Sequence, residues 1–158
     1  MTKPILKMLI GLPGAGKSTY IKNNYSSFDG VVLSTDSYIE NKAIEQNSLY
    51  SDVFKDYIKE AEQNMLSELR YAIKNNENII WDQTNLTIKS RRKKLNMIPD
   101  IYFKEAIVFS ISNKELIRRI EKREKEEGKH IPFYILQNMK KSFEMPTKDE
   151  GFDVIQLI

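Results

Sequence analysis

The chain contains no cysteine in 158 residues. That excludes a disulfide framework, a thiolate zinc site and a cysteine nucleophile. Histidine occurs once, at His130, without ligand partners in view, and is read as a surface or loop residue. No stretch approaches the ~20 apolar residues needed to span a bilayer. The opening "MTKPILKMLIG" has too short an apolar run for a cleaved signal, and with the missing cysteine this fits a cytoplasmic protein. Internal repeats, low-complexity tracts and Gly/Ser linkers are also lacking. Glycine itself is scarce, with 6 residues in the whole chain. Yet Gly11, Gly14 and Gly16 fall within six positions of one another.

What is present describes one α/β domain over residues 1–158. Hydrophobic residues make up 41% and charged residues 30%, enough for a core under a solvated surface. The net charge of +3 permits an anionic substrate without requiring one. Short apolar runs predict strands at Ile5–Ile10, Gly30–Ser34, Asn78–Asp82, Glu105–Ile111 and in the closing "FDVIQLI". Between them, Phe54, Ile58, Ala61, Met65, Leu69 and Ile73 recur at helical spacing, predicting one buried helix face from Asp52 to about Lys74. Thr87 can cap a basic helix to about Met97. Asn113 can cap a charged helix that Gly128 stops, and Pro132 opens a last helix to about Phe143. Alternation of this kind predicts a parallel sheet covered on both faces, with ligands beyond the carboxyl ends of its strands. Asp36 and Asp82 fall on that edge.

"GLPGAGKST" (Gly11 to Thr19) fits the phosphate-binding loop G-x-x-x-x-G-K-[ST], and it sits between a predicted strand and a predicted helix. Gly11, Pro13, Gly14, Ala15, Gly16, Lys17, Ser18 and Thr19 are the nucleotide-binding candidates. Glycines let the backbone curl so that N–H groups point at phosphate oxygens. The helix that follows adds its positive end. Lys17 can reach the β- and γ-phosphates of a nucleoside triphosphate such as ATP, and the Ser18 hydroxyl can bind Mg²⁺.

Three observations choose among users of such a loop. Asp82 is followed by Gln83, where a hydrolytic ATPase would carry a water-activating Glu. "NKAI" and "NKEL" both lack the aspartate of a guanine-reading Asn-Lys-x-Asp. The chain has no room for an extra helical domain. A small phosphoryl-transfer enzyme remains. Asp36, in "LSTDSY", can serve as the base for an acceptor hydroxyl or can cap a helix; spacing does not separate the two. Arg119 and Arg123, four apart on the charged helix, can close over the phosphates as a lid or form an ordinary solvated face. "KSRRKK" (Lys89 to Lys94) can hold a nucleic-acid backbone or simply face water. Tyr38 is the one aromatic near Asp36.

Together "GLPGAGKST", "LSTDSY", "WDQTNLTIKSRR" and "ELIRRIEKREKEEGKHIP" resemble the phage-type polynucleotide 5′-kinases, the kinase domain of the polynucleotide kinase–phosphatases. The resemblance covers about Ile5 to Met145. It implies a P-loop kinase fold with five parallel strands and a helical lid at about residues 113–131. It implies transfer of the γ-phosphate of ATP, with Mg²⁺, to a 5′-hydroxyl of RNA or DNA. Asp36 then matches the general base and Arg123 the lid arginine, with Arg119 beside it. Asp82, Thr84 and Asn85 match a motif on the active-site edge; a role for Asp82 at Mg²⁺ through water is our own expectation beside the resemblance. Tyr38, Arg91 and Arg92 join the candidates for substrate contact. One departure is Ile39, where the family carries an arginine that holds a substrate phosphate. It keeps a small-molecule acceptor (nucleoside, sugar or nucleotide-sugar) open beside the polynucleotide. A nucleotide-binding module that transfers nothing is the remaining alternative.

Overall fold

Residues 2–24 and 29–158 are described by a computed structural model. Five strands form one all-parallel sheet: β1 (Ile5–Ile10), β2 (Gly30–Leu33), β3 (Asn78–Asp82), β4 (Phe103–Val108) and β5 (Val154–Leu157), in the order β2-β3-β1-β4-β5. The three inner strands are nearly continuous apolar runs because both of their faces are covered. Alternate residues supply the two sides. Leu6, Met8, Ile10, Ile79, Trp81, Ala106 and Val108 pack with Met65, Leu69 and Ala72 of α3 (Tyr50–Lys74) and with Leu95 of α4 (Ile88–Leu95). Leu9, Ile80 and Ile107 face the other way, against Ala15, Phe109 and residues Tyr20 and Ile21 of α1 (Lys17–Asn24).

β1 lies between β3 and β4, so the chain turns one way after β1 and the other way after β3. This switch point opens a crevice at the carboxyl end of β1. The remaining helices are α2 (Asp36–Glu45), α5 (Asn113–Glu127) and α6 (Phe133–Ser142); a single 3-10 turn (Lys148–Glu150) precedes β5.

Several boundaries differ from the sequence reading. α2 is a separate helix whose buried positions are only Ile39 and Ala43. α3 starts at Tyr50, and its buried side chains are Val53, Ala61, Met65, Leu69 and Ala72; Phe54 is 38% exposed. The reason is that α3 packs on two surfaces in turn. Val53 and Ala61 meet Ile39 and Ala43 of α2, and the later turns meet the sheet. β4 begins two residues early because Phe103 pairs with Ile5 and Val108 with Ile10. Ser112, not Asn113, caps α5 by accepting from the Glu115 amide at 3.3 Å. Thr87 caps α4 as expected, and Gly128 ends α5 in the left-handed conformation (φ 65°).

Candidate nucleotide and acceptor site

The loop between β1 and α1 is anchored at its root, where the Gly11 amide donates to the Thr84 carbonyl at 3.0 Å. Gly14 (φ 83°) and Gly16 (φ 106°) take backbone conformations that side chains rarely adopt. The Lys17 ammonium folds onto the loop, donating to the Gly11 and Leu12 carbonyls at 2.7 and 2.9 Å. Those bonds hold a cation where phosphate oxygens could replace the carbonyls. Ser18 and Thr19, in the first turn of α1, are exposed.

α5 lies across this loop. Leu116 and Ile120 pack with Leu136 of α6 and with Leu12. A β-carbon on Gly14 would sit 3.4 Å from Ile120 and 3.5 Å from Leu116. Arg119 donates to the Gly14 carbonyl at 3.3 Å and to Glu115 at 2.9 Å. Arg123 lies one turn further, 3.7 Å from Glu127.

Lys17, Asp82, Asp36 and Arg123 lie close enough to act on one another, and Lys129 also acts on Asp82. Burial lowers the Lys17 ammonium to about 8, against the pull of Asp82; Arg123 lowers it further and Asp36 opposes. Burial likewise raises the Asp82 carboxyl, with Lys17 the main opposing charge. Asp36 is the first residue of α2, after an N-cap residue, Thr35, whose side chain makes no capping bond. The Asp36 Oδ1 accepts from the Tyr50 phenol at 2.6 Å. The N-cap position is thus Thr35, with Asp36 an acid in the first turn.

Three sequence candidates have other work. Arg91 was expected to touch substrate, but its side chain is fully buried. It donates to both Glu150 carboxylate oxygens and to the Asn85 and Leu86 carbonyls. Asn85 is also withdrawn from any substrate. It is 2% exposed in a left-handed turn (φ 48°), donates to the Leu9 and Gln83 carbonyls, and accepts from Lys94. Tyr38 donates to Glu60 on α3. Thr84 contributes its carbonyl to the loop root, and Arg92 is exposed on α4. Sequence reading missed Tyr50 and Lys129. Lys129 places its ammonium 4.9 Å from the Tyr50 ring centroid and 2.5 Å from Glu40. No contiguous motif marks either residue; only the helical spacing that starts at Tyr50 could have drawn attention to it.

The residues fit a nucleoside triphosphate, on the evidence of the left-handed glycines and the inward lysine. The exposed Ser18 hydroxyl and the Asp82 carboxylate are hard oxygen donors. They suit Mg²⁺, which otherwise binds phosphate oxygens and water. No helix among the described residues is long and apolar enough to cross a membrane.

A five-stranded parallel sheet flanked by helices, carrying this loop at its switch point beneath a capping helix, is a P-loop kinase fold. Within that class the chain belongs to the family described as AAA domain, which matches residues 6–146. It is 26% identical over 155 residues to the L-seryl-tRNA(Sec) kinase of Methanococcus maripaludis, covering 95% of this chain and 56% of that protein. It is 27% identical over 157 residues to heterogeneous nuclear ribonucleoprotein U-like protein 2 of Mus musculus, covering 94% of this chain and 20% of that protein. A chain in the structure of the Pnkp1/Rnl/Hen1 RNA repair complex superposes with a TM-score of 0.67 and 25% identity, over 91% of this chain and 47% of the other. The chain thus spans little more than half the length of these relatives, or less.

Proposed function

We propose that the chain is an ATP-dependent kinase that transfers the γ-phosphate to a 5′-hydroxyl of RNA or DNA. The observation that carries this reading is the position of Asp36, at the start of α2 just past the carboxyl end of β2, with one carboxylate oxygen held by Tyr50 and its charge acting on the Lys17 ammonium. The loop amides and Lys17 hold the β- and γ-phosphates. Ser18, and Asp82 through water, would hold Mg²⁺, which would supply charge neutralisation at those phosphates. Asp36 accepts the proton of the acceptor hydroxyl as its oxygen bonds to the γ-phosphorus. The bond from that phosphorus to the β,γ-bridging oxygen breaks, and ADP leaves. Arg123, with Arg119 beside it, offsets charge on the transferring group. Likeness to a tRNA-linked kinase and to a chain of an RNA repair complex supports a nucleic-acid acceptor.

Ile39 favours a second reading. It is fully buried between α2 and α3, so the position that carries arginine in the resembled kinases offers no cation to a substrate phosphate. A smaller hydroxyl compound on the same scaffold is therefore the alternative acceptor. The test is γ-labelled ATP with 5′-hydroxyl oligonucleotides, nucleosides and a panel of sugars. Label in the oligonucleotide is the expected result, and label confined to a small molecule overturns it. ATP binding without transfer to any acceptor leaves a nucleotide-binding module.

A further inference from the structure

We infer that Tyr50 is a positioning residue for the Asp36 carboxylate and that Lys129 positions Tyr50 in turn, so that the end of α5 helps set the aim of the base. This rests on the kinase reading above and adds residues to it.

The Tyr50 phenol donates to Oδ1 of Asp36 at 2.6 Å. Fixing one carboxylate oxygen fixes the direction of the other, which is left for the acceptor. A phenol suits this role better than a cation, because it orients the carboxylate without neutralising it. Burial and the neighbouring Asp36 charge push the phenol far above its usual range, so it stays a donor at any working pH.

The Tyr50 ring is itself held. Phe54 tilts against it at 5.9 Å between centroids, and the Lys129 ammonium lies 4.9 Å from its centre. Lys129 is 12% exposed and is shared between Glu40, at 2.5 Å, and Glu127, at 3.8 Å. It therefore joins α2, α3 and α5 at one point. The backbone reinforces the seam. The Gly128 carbonyl accepts from the Ser51 amide (3.3 Å) and hydroxyl (3.0 Å), and the His130 amide donates to the same hydroxyl at 2.7 Å. Gly128 has φ 65°, and a β-carbon there would meet Leu49 Cδ2 at 2.7 Å and Cβ at 3.2 Å, so a larger residue would be strained and would push the Leu49 side chain aside. Glu127, which holds Lys129, also pairs with Arg123. One run of contacts thus joins the arginine of the lid helix to the proposed base.

The experiment uses the full chain with γ-labelled ATP and a 5′-hydroxyl oligonucleotide. Tyr50→Phe keeps the ring and loses the phenol; Lys129→Met keeps the stem and loses the charge. Each is expected to lower kcat about ten- to a hundredfold, with KM for ATP within twofold. The double variant is expected to fall no further than the worse single one, because both act through one carboxylate. Lys129→Arg, which restores a cation over the ring, is expected to recover most of the loss. Wild-type kcat in Tyr50→Phe, multiplying losses in the double variant, or a change confined to KM for ATP would overturn the assignment. A readout independent of turnover separates it from the kinase reading. With 3-fluorotyrosine at position 50, the fluorine resonance is expected to move in Asp36→Asn and in Lys129→Met but not in Lys59→Ala, on the exposed side of α3. A resonance that ignores Asp36→Asn overturns the contact whatever the activity. A wild-type chain that phosphorylates no acceptor overturns the catalytic role even if the resonance moves.

Discussion

Arg91 and Glu150 form an ion pair closed to water, with Arg91 Nε 2.7 Å from Oε1 and Nη2 3.3 Å from Oε2. The third guanidinium nitrogen, Nη1, donates to the Asn85 and Leu86 carbonyls at 3.0 Å each. Glu150 Oε2 also accepts from the Thr147 amide at 2.7 Å. The pair therefore ties the loop after β3 to the turn before β5. Removing one partner strands a buried charge. Arg91→Ala should lower stability by about 3–5 kcal/mol in urea unfolding, whereas the exposed Arg92→Ala should stay within ~0.5 kcal/mol of wild type. If the basic face of α4 meets a nucleic-acid backbone, Arg92→Ala should also reduce the slope of log affinity against log salt by about one.

The proposed base and lid arginine predict different kinetic losses. Asp36→Asn removes a proton acceptor yet keeps a group that can accept from Tyr50. It should lower turnover by about 10²–10⁴ while thermal unfolding is unchanged. Arg123→Ala should lower kcat by about 10³-fold or more, with ATP affinity in direct titration kept within a few-fold. That split is expected because the arginine serves charge that develops during transfer. A wild-type rate in Asp36→Asn would leave the carboxylate without a catalytic part.

As the proposed phosphate ligand, Lys17 should make nucleotide binding sensitive to alkaline pH. Its ammonium is lowered to about 8 by burial in the free protein, and phosphate charge favours the protonated form. Binding therefore raises the pKa and takes up protons at pH values above about 8. The affinity for ATP should fall as pH rises from 7 to 9.5. Calorimetry in buffers of different ionisation heat should report proton uptake at pH 8.5–9 and almost none at pH 6.5. Uptake that is equal at both would place the lysine's titration elsewhere.

How far the sequence told this in advance depends on how local each feature is. The glycine loop is contiguous, so its residues and its place after β1 were readable. The inner strands were readable because burial on both faces demands unbroken apolar runs. Arg91 and Arg92 could not be told apart, because the carboxylate that buries one of them comes 59 positions later. Tyr50 and Lys129 gain their roles only where α2, α3 and α5 meet, and neither stands out in its own segment. α2 entered only as a helix that Asp36 could cap, because its two buried side chains are too few for a clear period. The buried face of α3 was readable at Ala61, Met65 and Leu69, with Ile58 and Ile73 packed beside it, but not at its first turns, where Val53 rather than Phe54 turns inward to meet α2.

Lys94 gives a prediction of the opposite kind, about stability alone. Its ammonium donates to the side-chain amide oxygen (Oδ1) of Asn85 and lies 5.4 Å from the centre of the Trp81 ring. Burial lowers it to about 8, against the attraction of Glu62. An unfolded lysine titrates near 10.5. Below about pH 8 the amine is charged in both states, and the folded protein bears the full cost of burying it. Between about 8 and 10.5 the folded state loses its proton first, so stability rises with pH. Above that range the gain is complete. At about 1.4 kcal/mol per unit the whole gain is roughly 3 kcal/mol. Lys17 shifts in the same window, so the useful quantity is a difference between two chains that both keep Lys17. Wild type should gain a few kcal/mol relative to Lys94→Met between pH 7 and pH 10 in urea unfolding. A difference that stays constant across that range would mean that the buried amine does not titrate there, and that Asn85 is held by a group whose charge never changes.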